Sequence, residues 1–182
     1  MQLHVNARKM AFSGIMLALT VICIILSGVL EFNTLFLLAI AGFSVGIIVR
    51  ESGLRFGAAY LVAAIFLGFI LAPNKMYCIT FAAMGIYVLA DEALWILIRK
   101  ITLKAPVNGN ICLWIGKFII FNIMYIPILL IFPELLFAGG AGKHFFAIAW
   151  IGGQAIMVIY DFAYDYFQKY IWTKYRKFLD MH

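Results

Sequence analysis

Two short stretches of this chain carry letters that perform chemistry in other settings. Gly42-Phe43-Ser44-Val45-Gly46 fits G-x-S-x-G, the pattern that holds a nucleophilic serine on a strand-to-helix turn in soluble hydrolases. Here it lies inside an unbroken apolar run, and the only base in prospect is His144, because His4 and His182 sit at the termini. At about 1.5 Å of rise per helical residue, Ser44 and His144 differ in depth by on the order of 15–20 Å, well beyond hydrogen-bond reach. Asp161-x-x-x-Asp165 supplies half of a paired acidic metal motif, but the second half is missing, and Asp91-Glu92 are adjacent rather than at helical spacing. The sequence contains no H-E-x-x-H, no P-loop and no G-x-G-x-x-G. Cys23, Cys78 and Cys112 lie in apolar runs without a C-x-x-C and read as small buried hydrophobes. These residues predict no enzyme, no bound metal and no cofactor.

The elements that position them follow from composition. Of 182 residues, 66% are apolar and 12% charged, and the mean hydropathy is +1.04. A soluble domain is about 45–50% apolar with about 25% charged residues, so this chain has too few charges to cover itself in water. A soluble domain and a disordered chain are both excluded. With about 20 apolar residues per membrane span, the length allows six or seven helices and leaves no room for a soluble catalytic or ATPase domain. The expectation is one all-α membrane domain over residues 1–182.

Apolar runs cover roughly 10–30, 34–49, 56–72, 76–98, 111–132 and 144–168, each bounded by charges or turn formers such as Arg50-Glu51-Ser52-Gly53 and Pro73-Asn74-Lys75. Six transmembrane helices are predicted, because lipid offers no partner to unpaired backbone groups and the runs lack the alternation of barrel strands. The first run follows Arg8-Lys9 but is too long for a signal-peptide core and lacks A-x-A, so it reads as a mature helix. With the N-terminus inside, Arg8, Lys9, Arg50, Arg55, Arg99, Lys100, Lys104, Lys169, Lys174, Arg176 and Lys177 are cytoplasmic. Only Lys75 and Lys143 lie outside, and Lys117 falls within a span. This asymmetry predicts both termini in the cytoplasm and accounts for the formal charge of +6 without nucleic acid. The basic tail from Lys169 to Lys177 also suits a surface of anionic lipid.

A charge inside the membrane needs a partner or a route to the surface. Lys117 lies about six residues into the fifth span, and Asp161 about seven from the inner end of the sixth. Both therefore sit on the order of 10 Å below the inner surface, which makes Asp161 the expected partner. Asp91 and Glu92 on the fourth span reach the same level and are the second choice, and snorkelling is the alternative. Asp165 and Lys169 are placed for an ordinary i,i+4 pair.

Ala7, Ala11, Gly14 and Ala18 recur at i, i+4, i+7 and i+11, one stripe of small residues along the first helix. Such a stripe admits close approach of another helix, either within this chain or from a partner. Gly42/Gly46 and Ala64/Gly68 are read as internal packing.

Six helices in under 200 residues, both termini inside, a short basic N-terminus and this stripe together resemble the substrate-binding S component of an energy-coupling factor (ECF) transporter. The resemblance runs from about Ala7 to Lys177. It implies a subunit for uptake of a vitamin-like or other micronutrient solute. It also implies that Ala7/Ala11 and Gly14/Ala18 dock a membrane coupling (T) component, which works with ATPase subunits. The chain departs from that family in a very short first loop, around Glu31 to Thr34, and in lacking the N-terminal histidine metal site, since His4 stands alone. The implied solute site lies in the outer half, where Glu31, Asn33, Tyr77, Thr80, Asn122, Tyr125, Lys143, His144, Trp150 and Gln154 could converge between helices four, five and six. The competing expectation is a non-transporting membrane scaffold of the same fold, like the rod-shape factor MreD. A scaffold would fill that volume with apolar side chains.

Overall fold

The computed structural model describes residues 7–30, 33–102, 108–131 and 143–178. Its long helices are α1 (Ala7–Ser27), α2 (Thr34–Ser52), α3 (Leu54–Leu71), α4 (Lys75–Thr102), α5 (Gly109–Ile131) and α6 (Lys143–Tyr166). A π-helical turn, Phe167–Trp172, leads from α6 into a short α7, Thr173–Phe178. No strand occurs among the described residues. α1 to α4, together with the Gly109–Pro127 stretch of α5, are long and apolar enough to cross a membrane, so the chain is an all-helical, multi-pass membrane protein. The helices group into two compact units, Met1–Ala93 and Leu94–His182.

Several helix ends differ from the apolar runs, for local reasons. α1 begins at Ala7, ahead of the run starting near residue 10, and the Lys9 ammonium donates to the Glu51 carbonyl at 2.9 Å. α1 stops at Ser27 rather than near residue 30. There the Ser27 hydroxyl turns back on the Ile24 carbonyl, and the Gly28 and Val29 amides bond only three residues back. α2 runs past residue 49 to Ser52, because Arg50 finds a carboxylate on α4 (below) and Gly53 then adopts φ 91°. That left-handed conformation is open to glycine and ends the helix. α3 closes at an extended Ala72 before Pro73, which disfavours a helical residue ahead of it. At the start of α4 the Asn74 side chain accepts from the Met76 amide at 3.0 Å, an N-cap contact.

In the first unit α2 is the central element. Buried residues make up 61% of its span, against 28% for each of its neighbours α1 and α3, and every residue from Ala41 to Val49 is buried. Glycines permit this closeness. A methyl added at Gly57 would run into the Val49 side chain, and one at Gly85 would lie 2.5 Å from Leu61 Cδ1. Gly68 faces Ile24 in the same way, at 3.2 Å.

In the second unit α5 and α6 run antiparallel in a consistent register. Tyr125 meets Ala149 and Gly153, Asn122 meets Gln154, Lys117 meets Asp161, and the Trp114 ring lies 5.8 Å from that of Phe162. Glycines again sit at the closest points, Gly153 under the Tyr125 ring and Gly116 under Leu94, each with 2.5 Å to the place a methyl would occupy. The buried face of the last helix reads Gly153, Met157, Asp161, Tyr164, Gln168 and Trp172.

Candidate functional site

The α5–α6 seam gathers four of the residues proposed for a solute site. Asn122 Oδ1 accepts from both Trp150 Nε1 and Gln154 Nε2, each at 2.9 Å, while Asn122 Nδ2 donates to the Phe118 carbonyl at 2.8 Å. The Tyr125 hydroxyl donates to the Ala149 carbonyl at 2.9 Å. These bonds follow from the antiparallel register, which brings residues on α5 and α6 whose numbers sum to about the same value to one depth. Trp150 keeps 47% of its surface exposed, whereas Asn122, Tyr125 and Gln154 are half-buried. One polar atom is left over: Gln154 Oε1 is buried and has no hydrogen-bond partner.

Of the remaining residues of that proposal, Asn33, Tyr77 and Thr80 belong to the first unit. Asn33 is exposed at the start of α2 and makes no side-chain cap. Tyr77 is half-buried near Gly28 in the first unit, and the Thr80 hydroxyl donates to the Met76 carbonyl one turn back. Lys143 and His144 form the first turn of α6, and Glu31 lies outside the described residues.

Below the amide cluster, Lys117 Nζ lies 2.7 Å from Asp161 Oδ1, with 8% and 2% of the two residues exposed. The lysine also sits 5.8 Å from the Trp114 ring centroid. A buried charge is tolerable only when paired and hydrogen-bonded, so snorkelling is not the arrangement found. Of the second-choice carboxylates, Glu92 has a partner of its own. Glu92, on α4, takes Arg50 of α2 at 2.6 Å, and Asp91 is buried beside it in sequence. Depth matching alone had no means of separating Lys117 from Arg50 as the cation for Glu92. Lys169 and Asp165 form the i,i+4 pair at 3.2 Å.

Ala7, Ala11, Gly14 and Ala18 are all exposed, and a methyl added at Gly14 would have nothing within 4 Å. The opposite face of α1 supplies Ser13, Thr20, Val21, Ile24 and Ser27 to the core of the first unit. By contrast Gly42, Gly46, Ala64 and Gly68 are buried.

One cluster went unforeseen. Thr20 Oγ1 lies 2.7 Å from both Ser44 Oγ and Tyr60 Oη, and Ser44 lies 3.1 Å from Tyr60. Ser44 also donates to the Ala41 carbonyl at 2.6 Å. The serine of the G-x-S-x-G stretch is thus one corner of a hydroxyl triad that ties α1, α2 and α3. Sequence position did not mark it, because Thr20 lies eleven residues from Lys9 while Ser44 and Tyr60 lie six and five from Arg50 and Arg55, and the first run carries other hydroxyls at Ser13 and Ser27. Among the described residues, no three His, Cys, Asp or Glu side chains gather as a metal site, and the three cysteines are free.

No protein-family model, curated protein or solved structure matches this chain.

Proposed function

We propose that the chain is the membrane-embedded substrate-binding subunit of an uptake system for a small, micronutrient-like solute, resembling an ECF S component and coupled to a separate energising module. It would lie in the plasma membrane with both termini cytoplasmic. The observation that carries this reading is the buried, unengaged Gln154 Oε1 beside Asn122 and Trp150. Small-molecule sites between bundled helices take this form, an apolar wall with a few convergent polar groups. Support for the energising partner comes from α1, whose stripe of small residues is open along its length while its other face is buried. A transmembrane helix of a coupling subunit suits that stripe.

The scaffold reading has its own observation. The donors of Asn122, Tyr125, Trp150 and Gln154 are already engaged within the protein, as they would be if the cluster only held two helices together.

Mass spectrometry of small molecules retained through gentle purification separates the two. A transporter subunit carries a discrete solute that Gln154→Leu loses while the fold persists. A scaffold carries none, and Gln154→Leu then changes nothing. On the partner side, Ala11→Trp and Ala18→Trp should abolish association with a coupling subunit and leave the thermal stability of the isolated protein within about 0.5 kcal/mol, as for surface substitutions. Loss of the fold instead would assign the stripe to internal packing.

A further inference from the structure

The outward stripe of the last helix changes character along its length. Ile156, Ile159 and Phe162 are exposed first; from Tyr166 onward the exposed phenols of Tyr166, Tyr170 and Tyr175 interleave with the exposed Lys169, Lys174 and Arg176, and the Tyr166 and Tyr170 rings meet at 4.9 Å. Hydrocarbon side chains followed by interleaved phenols and cations match a bilayer read from its hydrocarbon into the interface, where amphipathic rings and long cationic side chains meet the headgroups. The opposite face remains buried over the same residues, at Tyr164, Gln168 and Trp172, so the exposed stripe is a surface and not a frayed end. The one carboxylate along it among the described residues, Asp165, pairs with Lys169 at 3.2 Å in an exposed contact. Pairs of that kind are weak, and the lysine exchanges its partner readily.

We propose that this segment, Tyr166 to Arg176, is a binding surface for anionic phospholipid headgroups. The tyrosines sit at the glycerol level, and Lys169, Lys174 and Arg176 hold the phosphates. The charge is complementary and the phenols are amphipathic. The neighbouring stripe is apolar and suits acyl chains. This inference is independent of whether the protein binds a solute.

The test is native mass spectrometry of the full chain in detergent with equimolar phosphatidylglycerol and phosphatidylcholine. Wild type should retain phosphatidylglycerol in preference. The exposed triple variant Lys169→Gln/Lys174→Gln/Arg176→Gln should lose about fivefold in that preference per charge removed, and Lys169→Arg/Lys174→Arg should keep it. Equal retention of the two lipids by wild type, or an unchanged preference in the triple variant, overturns the proposal. So does displacement of the bound lipid by glycerol phosphate at the same concentration, which would mean that the site reads a free phosphate.

Discussion

The two units of this protein solve one problem, holding helices together where lipid is the solvent, in two ways. In the first, close packing dominates. α2 is buried over most of its span, glycines at 57, 68 and 85 let neighbouring helices approach, and its polar contacts include the hydroxyl triad of Thr20, Ser44 and Tyr60 and the Arg50–Glu92 ion pair near its end. In the second, buried residues make up only 6% of the span of α5, and its contacts to α6 include an amide cluster and an ion pair. The difference teaches where polar chemistry is tolerated. Hydroxyls that bond to one another fit a dense core with little desolvation penalty. Charges and amides need exact partners and otherwise leave an open group, as Gln154 does. The triad hydroxyls of the dense core are all engaged with one another, while Gln154 Oε1 in the sparser seam is not.

The comparison breaks most sharply at Lys117. Removing one member of a buried pair strands the other charge, a loss of about 3–5 kcal/mol. Lys117→Asp and Asp161→Leu should each lower stability by this order in a thermal or denaturant titration of the detergent-solubilised protein. Lys117→Asp with Asp161→Lys should recover much of it, and Lys117→Met with Asp161→Leu should fall close to wild type. A silent Lys117→Met single variant would remove the ion pair from any account of the second unit.

A smaller effect separates glycines that face a neighbour from those that do not. Gly57→Ala places a methyl against Val49, and Gly85→Ala places one against Leu61; overpacking of this kind costs about 1–3 kcal/mol. Gly14→Ala meets nothing and sits in a helix, where alanine is favoured by up to about 1 kcal/mol. The same unfolding assay should show opposite signs, and equal signs would erase the contrast between the packed and open faces of the first unit.

The smallest change belongs to the hydroxyl triad. Thr20→Val or Tyr60→Phe should cost about 0.6 kcal/mol, the usual worth of a hydrogen bond between membrane helices. A double-mutant cycle should reveal their coupling. An additive cycle would mean that the hydroxyls fill space and do not tie the helices.

Much of the architecture is legible in the sequence. Long unbroken apolar runs dictate helices, and charges or turn residues between them dictate where each run stops. Even the Lys117–Asp161 contact was readable, because rise per residue converts sequence position into depth and a buried charge at one depth calls for its opposite. Depth is one coordinate only. It ranks Asp161, Asp91 and Glu92 together, and it does not say on which side of a helix each points. Rotation about the helix axis, decided by which neighbours pack, gave Glu92 to Arg50, joined Ser44 to Thr20 and Tyr60, and turned the Ala7-to-Ala18 stripe outward. The π-helical turn at Phe167–Trp172 had no sequence mark either, since no glycine or proline occupies it. Composition and spacing determined that this chain crosses a membrane as helices, because lipid penalises every other backbone arrangement. The azimuth of each side chain, and with it every polar contact that could serve a function, was left to tertiary packing.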